Sequence, residues 1–228
     1  MLFRSLGDGG LAKVVVCDLS EAAIAETLKL CGEAGAQTLG CVANVTDNST
    51  LKAMVQATLA KFGRIDCLVN NAGIVADAQM KNMTEDQFDK VIAVNLKGVF
   101  NATKAVVDTM IAQQSGVILN SSSIVGLYGN FGQTNYAAAK FGVIGMAKTW
   151  ARELGRKGIR SNAVCPGFIS TSILATIPEK VINALEEKVP MGRLGHPEDV
   201  ANTFAFLASD EASYINGAVI EVSGGLVI

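Results

Sequence analysis

Six short apolar runs rich in β-branched residues recur along the chain, and longer stretches of helical periodicity separate them. Lys13–Cys17, Thr38–Val42, Cys67–Asn70, Gly116–Ser121, Arg160–Val164 and Ala218–Val222 are each too short for a helix and read as strands. Between them, Glu21–Ala34, Ser49–Phe62, Thr84–Gln113, Gln133–Gly155 and Pro197–Ser209 carry apolar residues at three- and four-residue spacing. A strand followed by a crossover helix returns the chain parallel to itself, so this alternation predicts an α/β fold with an open, doubly wound parallel sheet. At 228 residues the chain suits one such domain with one core. Ser49 and Thr84 are expected helix caps, Thr84 with Gln87 in a capping box, and Pro197 suits a first helical turn. Thr171–Pro190 finds no place on the sheet and reads as a loop-and-helix excursion.

With charged residues at 18% and a net charge of −2, the chain carries no electrostatic footprint for nucleic acid. No apolar run approaches the roughly 20 residues of a membrane helix, and no signal-peptide pattern opens the chain, so a soluble, cytoplasmic protein is expected. Cys17, Cys31, Cys41, Cys67 and Cys165 lack C-x-x-C spacing and His196 is the only histidine. No metal site is therefore expected, and the thiols read as small core residues in a reducing compartment.

Tyr136 and Lys140 lie four residues apart early in a predicted helix, one turn above each other on one face. A free tyrosine has a pKa near ~10, and a neighbouring ammonium favours its phenolate, so this spacing suits proton transfer with a substrate hydroxyl or carbonyl. The same pair on an apolar helix face also suits plain packing. Upstream, Ser121-Ser122-Ser123 closes a strand at the carboxyl end, where open α/β sheets bind ligands. Serines in such a place also serve the backbone of a turn.

The whole phrase, from Ser123-Ile124-Val125-Gly126 through Gly129-Asn130-Phe131-Gly132-Gln133-Thr134-Asn135-Tyr136 to Lys140, closely resembles the active-site segment of the short-chain dehydrogenase/reductase family. The resemblance runs from about Lys13 to Gly225 and takes in Asn70-Asn71-Ala72-Gly73, Val94-Asn95-Leu96-Lys97-Gly98, Pro166-Gly167-Phe168-Ile169 with Thr171, Tyr214-Ile215-Asn216-Gly217 and Ser223-Gly224-Gly225. It implies a Rossmann-like fold and a nicotinamide-dependent oxidoreductase. On that basis Ser123 polarises the substrate carbonyl, Tyr136 is the general acid in reduction, Lys140 lowers the tyrosine pKa and binds the nicotinamide ribose, and Asn95 holds a water for proton relay. Asn71, Ala72 and Gly73 would flank the cofactor, and Pro166, Gly167, Ile169 and Thr171 would close over it. Asp18, directly after an apolar strand, is placed to accept hydrogen bonds from the adenosine ribose and to repel a 2′-phosphate, which favours NAD over NADP; it could equally cap the following helix. Asn44-Val45 resembles the pair bordering the adenine, where the family more often has Asp-Val; Asn44 would offer a carbonyl acceptor to the exocyclic amine.

Only Met1–Ala12 precedes the run that resembles the second strand, whereas a dinucleotide-binding unit needs a strand, a Gly-rich turn and a helix before it. The first strand and Gly-rich turn are thus expected to be missing, with 6–228 as the domain and 1–5 as a non-native leader, because Leu2-Phe3-Arg4-Ser5 is the translation of a common sequencing-adapter ending. A chain of that kind is expected to hold NAD weakly. Within the family, Gly129–Lys140 and the C-terminal stretch look most like 3-oxoacyl-acyl-carrier-protein reductases. That implies a 3-oxoacyl thioester substrate, an acidic acyl carrier protein as partner and a homotetramer. Of the two basic docking positions in that group, one matches Lys157 and the other falls at Gln114. The alternatives are an NAD-dependent dehydrogenase of a small alcohol, sugar or hydroxysteroid, and a catalytically inactive scaffold subunit that uses the Thr84–Gln113 and Gln133–Gly155 helices.

Overall fold

The structure, a computed structural model, describes residues 12–171 and 179–226. The expected leader and the Gly7–Gly10 turn lie outside these residues. All six expected strands form: β1 (Lys13–Asp18), β2 (Gln37–Val42), β3 (Cys67–Asn70), β4 (Gly116–Ser121), β5 (Ile159–Pro166) and β6 (Val219–Val222). Every pairing is parallel. β5 runs beyond the expected Val164 because Cys165 and Pro166 pair with Glu221 and Val222 of β6.

Among the described residues the expected single sheet is divided. β1 and β2 form one ladder, β3-β4-β5-β6 a second, and no described strand lies between them. Helix α2 (Asn48–Phe62) joins the two units by packing on both β2 and α4 (Gly98–Gln113). Asn101 of α4 adds a polar tie, donating from Nδ2 to the Val45 carbonyl at 2.9 Å. A Cβ on Gly98 would stand 2.6 Å from a Val45 methyl carbon, so only glycine lets the loop after β2 approach α4 this closely.

Helices cover both faces of the four-stranded sheet. Ile118 of β4 packs with Val106 and Met110 of α4, while its neighbour Leu119 packs with Phe204 and Leu207 of α8 (Pro197–Ala208). Alternation along one strand thus serves two layers. Helix α1 (Glu21–Glu33) is capped by Ser20, which leaves Asp18 free of the capping role weighed for it. Thr84 and Gln87 form the expected capping box of α3 (Glu85–Ile92). The cap of α2 is Asp47 rather than Ser49, because the carboxylate accepts both the Ser49 N–H and the Ser49 hydroxyl, at 2.8 and 2.7 Å. The helix expected over 84–113 is interrupted by a π turn, Ala93–Lys97, between α3 and α4. The Thr171–Pro190 excursion contains α7 (Glu179–Glu186).

A buried chain of amides crosses the sheet. Asn70 of β3 donates to Thr103 Oγ1 at 3.0 Å and to Asn120 Oδ1 at 2.9 Å. Asn120 of β4 donates to the Asn162 carbonyl at 3.0 Å, and Asn162 of β5 donates to the Ile215 carbonyl at 2.9 Å. No buried side-chain polar atom among the described residues lacks a partner. Replacing Asn120 by alanine leaves the buried Asn70 amide short of an acceptor and opens a cavity. We expect Asn120→Ala to cost on the order of 2–4 kcal/mol in denaturant unfolding. A loss below about 0.5 kcal/mol would show that the amide chain does not hold the strands together.

Candidate active site

The parallel register aligns the carboxyl ends of the central strands: Asn70 lies opposite Asn120, and Ser121 opposite Val164. Asn71–Gly73, Ser122-Ser123 and Pro166–Ile169 therefore leave the sheet along one edge, where ligands of open α/β sheets bind. Helix α6 (Thr134–Leu154) packs on β4 and β5 and carries Tyr136 and Lys140 to the same edge. Lys140 is buried, and its Nζ donates to the Ser121 carbonyl at 2.7 Å while standing 5.4 Å from the Tyr136 ring centroid. Ser123 is buried beside them, and its Oγ accepts the Val125 N–H at 3.1 Å.

Asn95 joins this group through the π turn. It is fully buried, and its amide donates to the Ile74 carbonyl and accepts the Ile74 N–H, both at 2.8 Å. The loop after β3 is thereby tied down at Gly73, where a Cβ would stand 3.5 Å from Asn95 Oδ1 and 3.8 Å from Lys140 Nζ. Ser123, Tyr136, Lys140 and Asn95 form one cluster, although they come from three separate parts of the chain.

The electrostatics differ from the expectation in one respect. Burial raises the Tyr136 pKa above its ordinary value; the nearby Ser123 hydroxyl opposes this and the Asp77 carboxylate adds to it. Lys140 does not lower the phenol here, since its ammonium points to the Ser121 carbonyl and lies at ring distance from the tyrosine. Burial brings Lys140 itself down to about 8. The arrangement holds a protonated phenol beside a cation that titrates near neutrality.

The residues expected to meet a dinucleotide fall into two groups. Asp18 ends β1 and is exposed, with Oδ1 accepting the Leu19 N–H at 2.6 Å. Val45 packs against Gly98. Asn44 Oδ1 accepts the N–H and the hydroxyl of Thr46, both at 2.9 Å, which closes a turn after β2. In the second group Asn71, Ala72 and Gly73 are exposed at the end of β3. The Gly167 N–H bonds the Val222 carbonyl at 2.9 Å, and Ile169 bridges to Gly195, which fixes the Pro166–Ser170 segment beside the cluster. Thr171 is exposed and lines a separate cleft of about 300 Å³ with Ile182, Glu186, Arg193 and His196, which Ser123, Tyr136 and Lys140 do not reach. An exposed carboxylate at one strand end and a cation with a phenol at the others suit the two riboses of a nicotinamide dinucleotide.

The family model described as enoyl-(acyl carrier protein) reductase matches residues 8–227. The chain belongs to the short-chain dehydrogenase/reductase family. A 3-oxoacyl-[acyl-carrier-protein] reductase FabG of Thermotoga maritima is 57% identical over 187 residues, covering 82% of this chain and 76% of the relative. The human (3R)-3-hydroxyacyl-CoA dehydrogenase is 46% identical over 232 residues, covering 98% of this chain and 88% of the relative. Among solved structures, the 3-oxoacyl-[acyl-carrier protein] reductase of Brucella melitensis superposes with a TM-score of 0.89 at 34% identity, over 95% of this chain and 82% of that one. Levodione reductase gives 0.88 at 39% identity, over 94% and 87%.

As a short-chain dehydrogenase/reductase the chain is an oxidoreductase. The family motifs do not by themselves point to two further residues at its site. Asn135, fully buried, donates to the carbonyls of Ala76 and Gln87 at 2.9 and 3.0 Å and accepts the Tyr136 N–H at 2.7 Å. Ser122 donates to the Lys140 carbonyl at 2.8 Å. The only sequence signal for either is its place directly before Tyr136 or Ser123.

These shifts give the site a pH dependence of definite sign. The raised phenol stays protonated through neutrality, whereas the Lys140 ammonium is present below about 8 and is lost as pH rises through that value. Reductive turnover is expected to hold from about pH 6 to about pH 7 and to fall as pH passes about 8. A pH–rate profile that stays level to about pH 10 would show that the ammonium is not needed.

Proposed function

We propose that the chain reduces the 3-oxo group of an acyl thioester to the 3-hydroxy form, working through Ser123, Tyr136 and Lys140. The observation that carries this reading is the cluster at the strand ends in which a half-buried Tyr136 stands beside the buried Ser123 and Lys140. The relatives supply the substrate class, since a 3-oxoacyl reductase and a 3-hydroxyacyl-CoA dehydrogenase act on the two sides of one carbon couple.

The Ser123 hydroxyl and the Tyr136 phenol meet the substrate carbonyl oxygen. As negative charge grows there, Tyr136 donates its proton; an alkoxide is far more basic than a phenolate, so a raised phenol pKa does not hinder the transfer. A bound nicotinamide supplies the hydride. Lys140 holds the nicotinamide ribose and places a positive charge near the phenolate left behind. Asn95 fixes the floor of the site through Ile74 and stands as a partner in reprotonation.

Asp18 supports NAD as the preferred cofactor, because its exposed carboxylate suits ribose hydroxyls and repels a 2′-phosphate; NADP is the alternative. The two thioester carriers in the relatives' names differ, and the exposed Gln114 opposite the exposed Lys157 gives carrier-protein docking one of its two basic positions. Phe100 of α4 and Phe141 of α6, 50% and 63% exposed, offer apolar faces for a homotetramer. No helix among the described residues is long and apolar enough to cross a membrane, in keeping with a cytoplasmic enzyme. The likeness to levodione reductase supports the second reading, an NAD-dependent dehydrogenase of a small alcohol, sugar or hydroxysteroid. The complete catalytic set argues against an inactive scaffold.

Turnover of 3-oxoacyl thioesters on acyl carrier protein and on coenzyme A, set beside small ketones and assayed with both cofactors, tests this reading. Activity on small ketones alone would replace it with the second. Tyr136→Phe is expected to lower kcat by about a thousandfold or more with cofactor affinity nearly unchanged, since only the transferable proton is removed. Retention of activity within tenfold would refute the role given to Tyr136. Asp18→Ala is expected to erase the preference for NAD, measured as the ratio of kcat/KM for the two cofactors. An unmodified enzyme that already prefers NADP would overturn the charge argument.

A further inference from the structure

Resting on the catalytic reading of Lys140, we infer that Ser122, not only its neighbour Ser123, serves the reaction, as a positioning residue that sets where the Lys140 ammonium stands. Ser122 is 3% exposed, and its Oγ donates to the Lys140 backbone carbonyl at 2.8 Å across 18 residues of sequence. The preceding residue holds the other end of the same lysine, for the Ser121 carbonyl accepts from Nζ at 2.7 Å. Two consecutive residues at the end of β4 thus grip one side chain at its root and at its head. A lysine side chain has four flexible carbons and several accessible rotamers. Fixing both its ends against the strand edge reduces those to the few that span the gap.

Two further observations agree with a built contact rather than an incidental one. A Cβ on Gly126 would stand 2.8 Å from the Lys140 carbonyl carbon and 3.0 Å from the Phe141 nitrogen, so the short helix α5 (Val125–Tyr128) presses on the same turn of α6. The Lys140 carbonyl also lies inside α6, where the N–H four residues on already satisfies it. The Ser122 bond is therefore extra to the helix. A helix carbonyl with its own partner does not need it for folding, whereas a lysine that must meet a ribose and a phenol within a fraction of an ångström does.

Because the bond is extra, Ser122→Ala leaves no buried group unpaired and the fold should survive. Thr58→Val is the control. Thr58 is also buried and donates from its hydroxyl to a helix carbonyl, that of Met54, at 2.7 Å, but it lies on α2, away from the cluster. Kinetics and melting temperatures of Ser122→Ala, Thr58→Val and Lys140→Ala are measured side by side on the whole chain. Ser122→Ala is expected to lower kcat about tenfold and raise KM for the dinucleotide several-fold, with KM for the carbonyl substrate unchanged. Thr58→Val is expected to change none of the three, at a comparable shift in melting temperature. Wild-type kinetics in Ser122→Ala, with Lys140→Ala inactive, would overturn the positioning role alone. The same result would follow from equal kinetic losses in Ser122→Ala and Thr58→Val. An active Lys140→Ala would instead remove the reading on which the inference stands.

Discussion

The amide chain through Asn70, Asn120 and Asn162 is the constraint on which the rest of the site depends. Apolar contacts across a parallel sheet tolerate sliding, because one valine or isoleucine packs much like the next. A buried asparagine does not tolerate it, since a slip by one residue leaves an amide unpaired in the core. The cluster of Ser123, Tyr136 and Lys140 needs the ends of β3, β4 and β5 in one fixed stagger. The amides enforce that stagger one to five residues before the chain leaves the sheet.

Burial is the second determinant, and it acts on both catalytic groups in opposite senses. It raises the phenol and lowers the ammonium to about 8, so two groups whose ordinary values nearly coincide are driven apart and the phenol becomes the weaker acid. At pH 7 the phenol therefore keeps the proton that a reduction consumes, while the ammonium is still charged beside it. The packing of α6 against β4 and β5 therefore does chemical work before any substrate arrives.

The order of strands and helices was legible in the sequence because each element carries its own period, and the Tyr136–Lys140 pair because four-residue spacing on a helix is a local fact. The π turn at Ala93–Lys97 was not, because it breaks a run whose apolar spacing looks continuous. Ser122 and Asn135 were hidden because serine and asparagine are common at strand ends and helix starts. Their partners, Lys140 and the loop at Ala76, lie far away in sequence.

The π turn has a further consequence for how the chain could change over time. It accommodates one residue more than an α-helix of the same pitch, and each residue of an α-helix turns the following face by about 100°. Deleting any one residue of Ala93–Lys97 would let α3 and α4 fuse into one regular helix, a locally favourable outcome. The fusion would swing Asn101 away from Val45, withdraw Asn95 from Ile74 and rotate the Phe100 face out of its present direction. A lineage that shed that residue would gain a smoother helix and lose, in one step, the link between the two sheet units and the floor of the active site.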